Sequence, residues 1–529
     1  MLREKNFRAL WRWVQFRSSR GHPVERYKEE FPDGARAFLH FLRRCRVEPG
    51  PGADLPLGVV VLPWVSTPTP WFTLALAIGL ARRGKSISLV CDDSGLGLPL
   101  ETPERLHVQN AHIARALETL GDTFPLARLS EQPPQTARDG DARALQDLSE
   151  LNLTWALRGA PPSEQKRRAF PLAPEHLART LALVRGLLHN ARYESLVLPG
   201  GIYGTSGLFR LAAEEAGIRV ATFDGTFGVV QICVEGIAGQ QSDIPVAFRE
   251  LERAAAETLD WARGQAREAF QRRVEARDEA AYQAVPPQQD GVLSADVVIP
   301  MNVEWDAAAL GRHTIFQNTE DWITATVEFV LRHSAQTIAV RQHPAERKKF
   351  ERSRFDIGGI LQERFGGNPR LRFVSADEPV NTYDLIQSAT VVLPFASTIG
   401  IEAAAMGKVV LVSGASCYSD LDFVWKASSH EEYLGLLGRA LRGQLPRKPH
   451  QVDKAWLCYY LTPTCNRVWT DFNLAPGDSD FWTWVARDPE DLFEDAAVAD
   501  MLTALAKNRP LSLIRHERKV REAFAPTPA

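Results

Sequence analysis

Much is missing from this chain of 529 residues, and each gap removes a class of function. Cysteine is scarce: Cys45, Cys91, Cys233, Cys417, Cys458 and Cys465 are scattered without a CxxC pair or zinc spacing. That excludes a disulfide scaffold and a zinc module, and it suits buried thiols in a reducing cytoplasm. Charge of one sign is not in excess, since 62 basic residues meet 65 acidic ones for a net charge of −3. A whole-protein preference for nucleic acid or for an anionic membrane is therefore not expected. No apolar run approaches the roughly 18 residues that a membrane-spanning helix needs, and the first residues carry no hydrophobic signal core. A cytoplasmic location is expected. No internal repeat or low-complexity tract stands out. The glycines of Pro199 to Gly207 match neither a dinucleotide fingerprint nor a P-loop, because no Lys-Ser/Thr follows them.

What is present is an ordinary globular composition, 45% apolar and 24% charged, in a chain too long for one hydrophobic core. Two or more domains are expected. The most informative segment is Asn381 to Gly414, NTYDLIQSATVVLPFASTIGIEAAAMGKVVLVSG. It reads as helix, strand, loop, helix, strand. Val391-Val392-Leu393 is an unbroken apolar run, as in a parallel strand buried on both faces. The next helix begins at Ser397-Thr398, where free backbone N–H groups and the positive dipole end suit an anion. Thr398 and Glu402 share one helix face, placed for a nucleotide's phosphate and its ribose hydroxyls. The plainer reading is a helix that Ser397 only caps.

Upstream, Thr337-Ile338-Ala339-Val340 reads as another short buried strand that runs into Arg341-Gln342-His343-Pro344. Ligands of open parallel sheets bind beyond the carboxyl ends of the strands. Arg341 and His343 alternate along that end, so both are expected to reach one side of the crevice. A permanent guanidinium charge beside a ring donor suits the phosphate of an activated sugar.

The His343-Pro344 element, followed by Ser397-Thr398 and Glu402, resembles the capsule polysaccharide biosynthesis proteins. These are bacterial glycosyltransferases of the GT-B architecture, among them enzymes that transfer Kdo from CMP-Kdo. Bacterial sialyltransferases pair similar elements on CMP-sialic acid. Val297 to Trp322, VVIPMNVEWDAAALGRHTIFQNTEDW, is similar to the same proteins, with an N-x-x-W-D-like loop after a strand. The resemblance covers about residues 290–415 well and the N-terminal half in outline. It implies that Arg341, His343, Ser397, Thr398 and Glu402 bind a nucleotide-sugar donor of the CMP-linked kind. It also implies inverting transfer to a growing glycan or glycolipid, with no cofactor and no resident metal. Capsule assembly proteins and the inner-membrane surface are the further partners it suggests; nucleic acid is not among them.

In the N-terminal half, Leu57 to Leu62, a helix over about 71–83 and Ser86 to Val90 read as a βαβ unit. Residues 125–175 read as a surface excursion. A helix over 174–192 and strand Ser195 to Leu198 then lead into the glycine loop, either a ligand contact or a tight turn. Strand Arg219 to Phe223 ends in Asp224-Gly225. Inverting transfer needs a base for the acceptor hydroxyl, and Asp224 is the first candidate. The likeness to the paired acids of sialyltransferases is positional, because Phe223 stands where the first acid would be. Glu235 and Asp306 are reserves.

The expected fold is α/β, two Rossmann-like domains facing a cleft in a GT-B-like arrangement. Residues 1–48 form a basic amphipathic helical segment, through Phe7, Leu10, Trp11 and Val14 among arginines and a second helix over 35–46. That segment either packs on the protein or lies on an anionic membrane. Residues 49–285 form the acceptor domain and a continuous helical connector over 245–284. Residues 286–450 form the nucleotide-sugar domain. Residues 451–529 form an aromatic-rich tail that packs back. Two rivals stand beside this reading: a CDP-glycerol-type polyol-phosphate transferase, and a non-catalytic capsule assembly or export factor with the same fold.

Overall fold

The computed structural model describes residues 32–47, 55–65, 67–98, 103–226, 229–278, 283, 285–287, 293–348, 351–469, 484, 486 and 488–525. The described chain forms two compact units. One takes its residues from 1–149, 169–231 and 468–508; the other from 150–168, 232–467 and 509–529. Both are α/β, and each is built around a Rossmann-like sheet.

The strands in chain order are β1 (Leu57–Val61), β2 (Ile87–Cys91), β3 (Leu126–Arg128), β4 (Ser195–Pro199), β5 (Arg219–Thr226), β6 (Val229–Cys233), β7 (Val297–Pro300), β8 (Ile338–Arg341), β9 (Leu371–Val374), β10 (Val391–Val392), β11 (Val409–Val412), β12 (Trp425–Lys426) and β13 (Arg467–Trp469). The first sheet runs β13-β6-β5-β4-β1-β2-β3 and the second β12-β11-β10-β7-β8-β9. β1, β2 and β4 read LGVVV, ISLVC and SLVLP, with every residue buried. Apolar continuity of that kind belongs to a parallel strand covered on both faces.

Register fixes where ligands can enter. Leu57 of β1 faces Ile87 on one side and Ser195 on the other, both in parallel. Val297 of β7 likewise faces Ile338 and Val391. Each sheet therefore starts in its middle and reverses direction of growth beside its first strand. The switch point lies between β1 and β4 in the first unit and between β7 and β10 in the second. At such a point the loops leaving the carboxyl ends part and leave a crevice.

The tail does pack back. Helix Ala496–Lys507 crosses helix Thr69–Ala81 of the first unit, with Leu502 fully buried. A Cβ on Gly79 would lie 2.6 Å from a Leu502 methyl, so the crossing needs a residue without a side chain. Trp484 stands edge-on to Phe38 at 4.7 Å in the same unit.

Four expectations change. Helix Pro32–Arg44 is not a separate segment: Phe38 and Phe41 are fully buried against Trp71, Trp484 and Phe493, and Arg44 pairs with Asp488. The amphipathic stretch before it, and Phe472, Phe481 and Trp482, lie outside the described residues. The 125–175 excursion contains helix Asp141–Leu157, whose Leu145, Leu148, Asn152, Leu153 and Ala156 are buried at helical spacing. The connector is broken into Ile244–Leu251 and Ala256–Val274, and Ala255 is extended at ψ 147. Both pieces bury Phe248, Ala262, Ala266 and Phe270 in the core that holds Val298, Val392 and Val410. The main segment of the second unit thus starts at residue 232 rather than 286, and residues 150–168 belong to that unit as well. Among the described residues, no helix is long and apolar enough to cross a membrane.

Candidate functional site

At the second sheet's switch point, the side chain of Asn302 after β7 accepts the backbone N–H of Ala396 after β10 at 3.2 Å. This bond ties the two loops where the strand order reverses. The β7 loop continues to Arg312 and His313. His313 forms an antiparallel bridge with Gly414, just past β11, and Ala415 N–H donates to the Arg312 carbonyl at 3.0 Å. The His313 ring lies over Phe395, with centroids 4.3 Å apart. Its Nε2 is 3.5 Å from Thr319 Oγ1, while its Nδ1 is buried without a hydrogen-bond partner. Burial pushes His313 down to about 4, against the opposing pull of Asp321. Arg312 donates from Nη2 to the Gln240 carbonyl at 3.2 Å; its Nε is buried and unpartnered.

His343 sits one strand over, after β8. It caps the short turn Pro344–Arg347, and its Nδ1 accepts the Ala345 N–H at 3.2 Å. Because Nδ1 is the acceptor, the neutral ring carries its proton on Nε2 and is a donor there. Burial, reinforced by the charges of Arg341, Arg273 and Arg467, pushes His343 down to about 4, so the ring is neutral at pH 7. The turn is braced from below. Val303, Trp305 and Ala345 pack together with Trp155, and the Arg158 guanidinium lies 3.8 Å over the Trp305 ring.

Arg341 does not share the crevice as expected. It is 1% exposed and donates to the carbonyls of Ser375 and Val380, holding the loop after β9 onto the strand ends. Burial lowers it to about 10, and its Nε has no partner.

Glu402 is also corrected. At 2% exposed, its carboxylate accepts Arg273 Nη1 at 2.9 Å and the Tyr383 hydroxyl at 2.9 Å. Arg273 reaches Asp278 at 2.9 Å as well. Both carboxylate oxygens are engaged inside the unit, so the ribose contact is replaced by a buried ion pair.

Ser397 and Thr398 are half-buried at the start of helix Ile399–Ala405, a seven-residue helix whose Thr398 N-cap makes no side-chain cap bond. The Tyr418 hydroxyl donates to the Ser397 carbonyl at 2.7 Å and fixes the loop. Ser397 does not cap through its side chain, so the plain capping reading has no support here.

In the first unit, Asp224 is half-buried and lies within β5, which runs on to Thr226 instead of ending at Phe223. Its Oδ1 accepts the neighbouring Gly225 N–H at 2.8 Å. Glu235 and Asp306 are exposed. The glycine loop behaves as a turn: Gly200, Gly201 and Gly204 have positive φ, and Gly200 lies under Trp64, whose ring would stand 3.2 Å from any Cβ there. Thr205 of the same loop donates to the buried Asp92 carboxylate, whose other oxygen accepts the Ser94 N–H at 3.1 Å. Sequence reasoning passed over Asp92, Arg312 and His313. Asp92 follows β2 directly, a position that could have flagged it, whereas Arg312 and His313 lie deep in the loop after β7, where no local signal marks them.

Residues 252–432 match the family model of the capsule polysaccharide biosynthesis proteins. The resemblance read from His343-Pro344 and Ser397-Thr398 holds over this region, which contains β7 to β12 and every residue of the switch point just described. Among curated relatives, protein FixF of Sinorhizobium fredii is 27% identical over 150 residues, 28% of this chain. The match spans only 33% of FixF's own length. Among solved structures, the beta Kdo 2,7 transferase of KpsC from Thermosulfurimonas dismutans aligns at a TM-score of 0.32 and 13% identity, over 59% of this chain and 87% of that one. MurG from Acinetobacter baumannii aligns at 0.27 and 11%, over 77% and 95%. These alignments are too loose to carry a residue from one chain to the other.

Proposed function

We propose that this protein is a glycosyltransferase of capsular polysaccharide biosynthesis. It takes a sugar, Kdo or a related acid sugar, from a CMP-linked donor and passes it with inversion to a growing glycan. The observation that carries the reading is the coincidence of the family match over 252–432 with a sheet edge where His343, one strand from the switch point, is a neutral Nε2 donor. A neutral donor suits a departing phosphate, because it stabilises developing negative charge without a proton having to be acquired first. The Ser397-Thr398 loop contributes to the same anion. CMP departs with one phosphate, so the mechanism has no step that calls for a metal. Asp224 is the base that takes the acceptor's proton.

The test is transfer itself: purified protein, a CMP-acid-sugar and a glycolipid acceptor, with released CMP and extended product measured together. Asp224→Asn should lower turnover about 10²–10⁴-fold and leave CMP affinity unchanged. If the Asn variant keeps more than about a tenth of the rate, Asp224 is not the base. Phosphorus appearing in the product would favour polyol-phosphate transfer. Binding without turnover on any donor would favour an assembly factor.

A further inference from the structure

Arg312 and His313 lie within the Val297 to Trp322 segment but were given no role there, and the fold brings them to the switch point. Both are held firmly in place. The His313–Gly414 bridge and the Ala415-to-Arg312 hydrogen bond fasten them to the end of β11, and the ring rests on Phe395 at the end of β10. Among the described residues no carboxylate reaches Arg312, whose one side-chain hydrogen bond goes to the Gln240 carbonyl. Its Nε and the Nδ1 of His313 are buried without partners on adjacent residues. Arg312 and His313 are half-buried, and an occluded polar atom left without a partner, such as Arg312 Nε or His313 Nδ1, costs stability. An anion held by these two residues would offset that cost. The rest of the unit does not behave this way: Arg273 is buried too, and it has Glu402 and Asp278.

We propose that Arg312 and His313 contact an anionic group of the ligand bound at the switch point between β7 and β10. The proposal rests on the nucleotide reading above and names two contacts that reading does not contain. The group is an oxyanion, either the donor's phosphate or the carboxylate of an acid sugar. His343 follows β8, while this pair is fastened at the ends of β10 and β11, two to three strands away in the sheet; at about 5 Å per strand that is a span an extended sugar nucleotide can bridge.

The experiment uses the full chain, with Arg312→Gln and His313→Gln beside the parent. Melting without ligand and calorimetric titration with cytidine, CMP and a CMP-acid-sugar are measured. Unliganded Arg312→Gln should melt at or above the parent, because an uncompensated charge has been removed. Its affinity should fall about 10- to 100-fold, as for the loss of a charge-assisted hydrogen bond, with His313→Gln weaker in the same direction. A loss with CMP but not with cytidine assigns the phosphate; a loss with the sugar nucleotide alone assigns the carboxylate. Affinity within about twofold of the parent for every probe overturns the proposal, as does an Arg312→Gln variant that melts several degrees lower. If the parent binds no nucleotide, the nucleotide reading fails separately. Stabilisation by inorganic pyrophosphate that disappears in Arg312→Gln would then uphold the anion contact, and its absence would end it.

Discussion

The two units use one topological plan and finish it in opposite ways. In the first, the switch point between β1 and β4 is filled by the protein: Trp64 covers Gly200 and Gly204, Tyr203 meets its edge, and Thr205 satisfies the buried Asp92. In the second, the corresponding point between β7 and β10 keeps Arg312 Nε and His313 Nδ1 buried and unpartnered. The lesson is that topology selects where a ligand can bind, while local satisfaction decides whether one is wanted. A crevice whose polar groups already have partners gains little from a ligand. One that leaves a guanidinium nitrogen and an imidazole nitrogen without partners gains a good deal.

The strongest way to sharpen this contrast is Glu402→Ala. It leaves Arg273 with Asp278 alone in a buried site and should cost about 3–5 kcal/mol, read as a lower urea midpoint with unchanged slope. A loss below about 1 kcal/mol, the range of exposed pairs, would mean the pair is not the buried brace described here. Trp64→Ala tests the other side. Truncating a buried tryptophan costs about 3–5 kcal/mol at most sites, and here it should leave CMP affinity as it was, because the filled switch point holds no donor. If CMP affinity fell with Trp64, the contrast between the units would be broken.

The smallest effect concerns pH. A histidine held neutral by burial takes its proton more readily in the unfolded chain. Its share of stability is therefore full above pH 6.5 and is lost as pH falls toward its folded value, about 4 for His343. Glu304, pushed up to about 7 by burial, works in the opposite sense between its ordinary value and 7. Comparing the parent with His343→Gln cancels Glu304 and every other group. The stability difference should change between pH 6.5 and 4 and be flat above 7. A flat difference throughout would mean His343 titrates normally.

Much of the fold was legible in the sequence. Strand Ser195 to Leu198 ends one residue short of observed β4, because an apolar run bounded by a charged residue and Pro-Gly leaves little choice. The 141–157 helix was missed because proline- and arginine-rich flanks hid its periodicity. The break at Ala255 lies in an alanine-, glutamate- and arginine-rich stretch with no glycine or proline, so local propensity argued for continuity and tertiary packing overrode it. At the site, positions were legible and partners were not. Glu402 was found on the right helix, yet Arg273 lies 129 residues away in sequence, and no local pattern announces that ion pair. Arg341 failed for the same reason, since the carbonyls of Ser375 and Val380 capture its guanidinium from the loop after β9, far off in sequence.

The most direct test of the central claim is hydrogen exchange of the intact protein with and without saturating CMP. A ligand that binds only the native state slows opening where it binds. Slower exchange is predicted in residues 302–313, 343–348 and 395–400 of the second unit, with 200–207 of the first unchanged. Protection centred on 200–207, or no protection at 302–313 under saturation, would contradict the account.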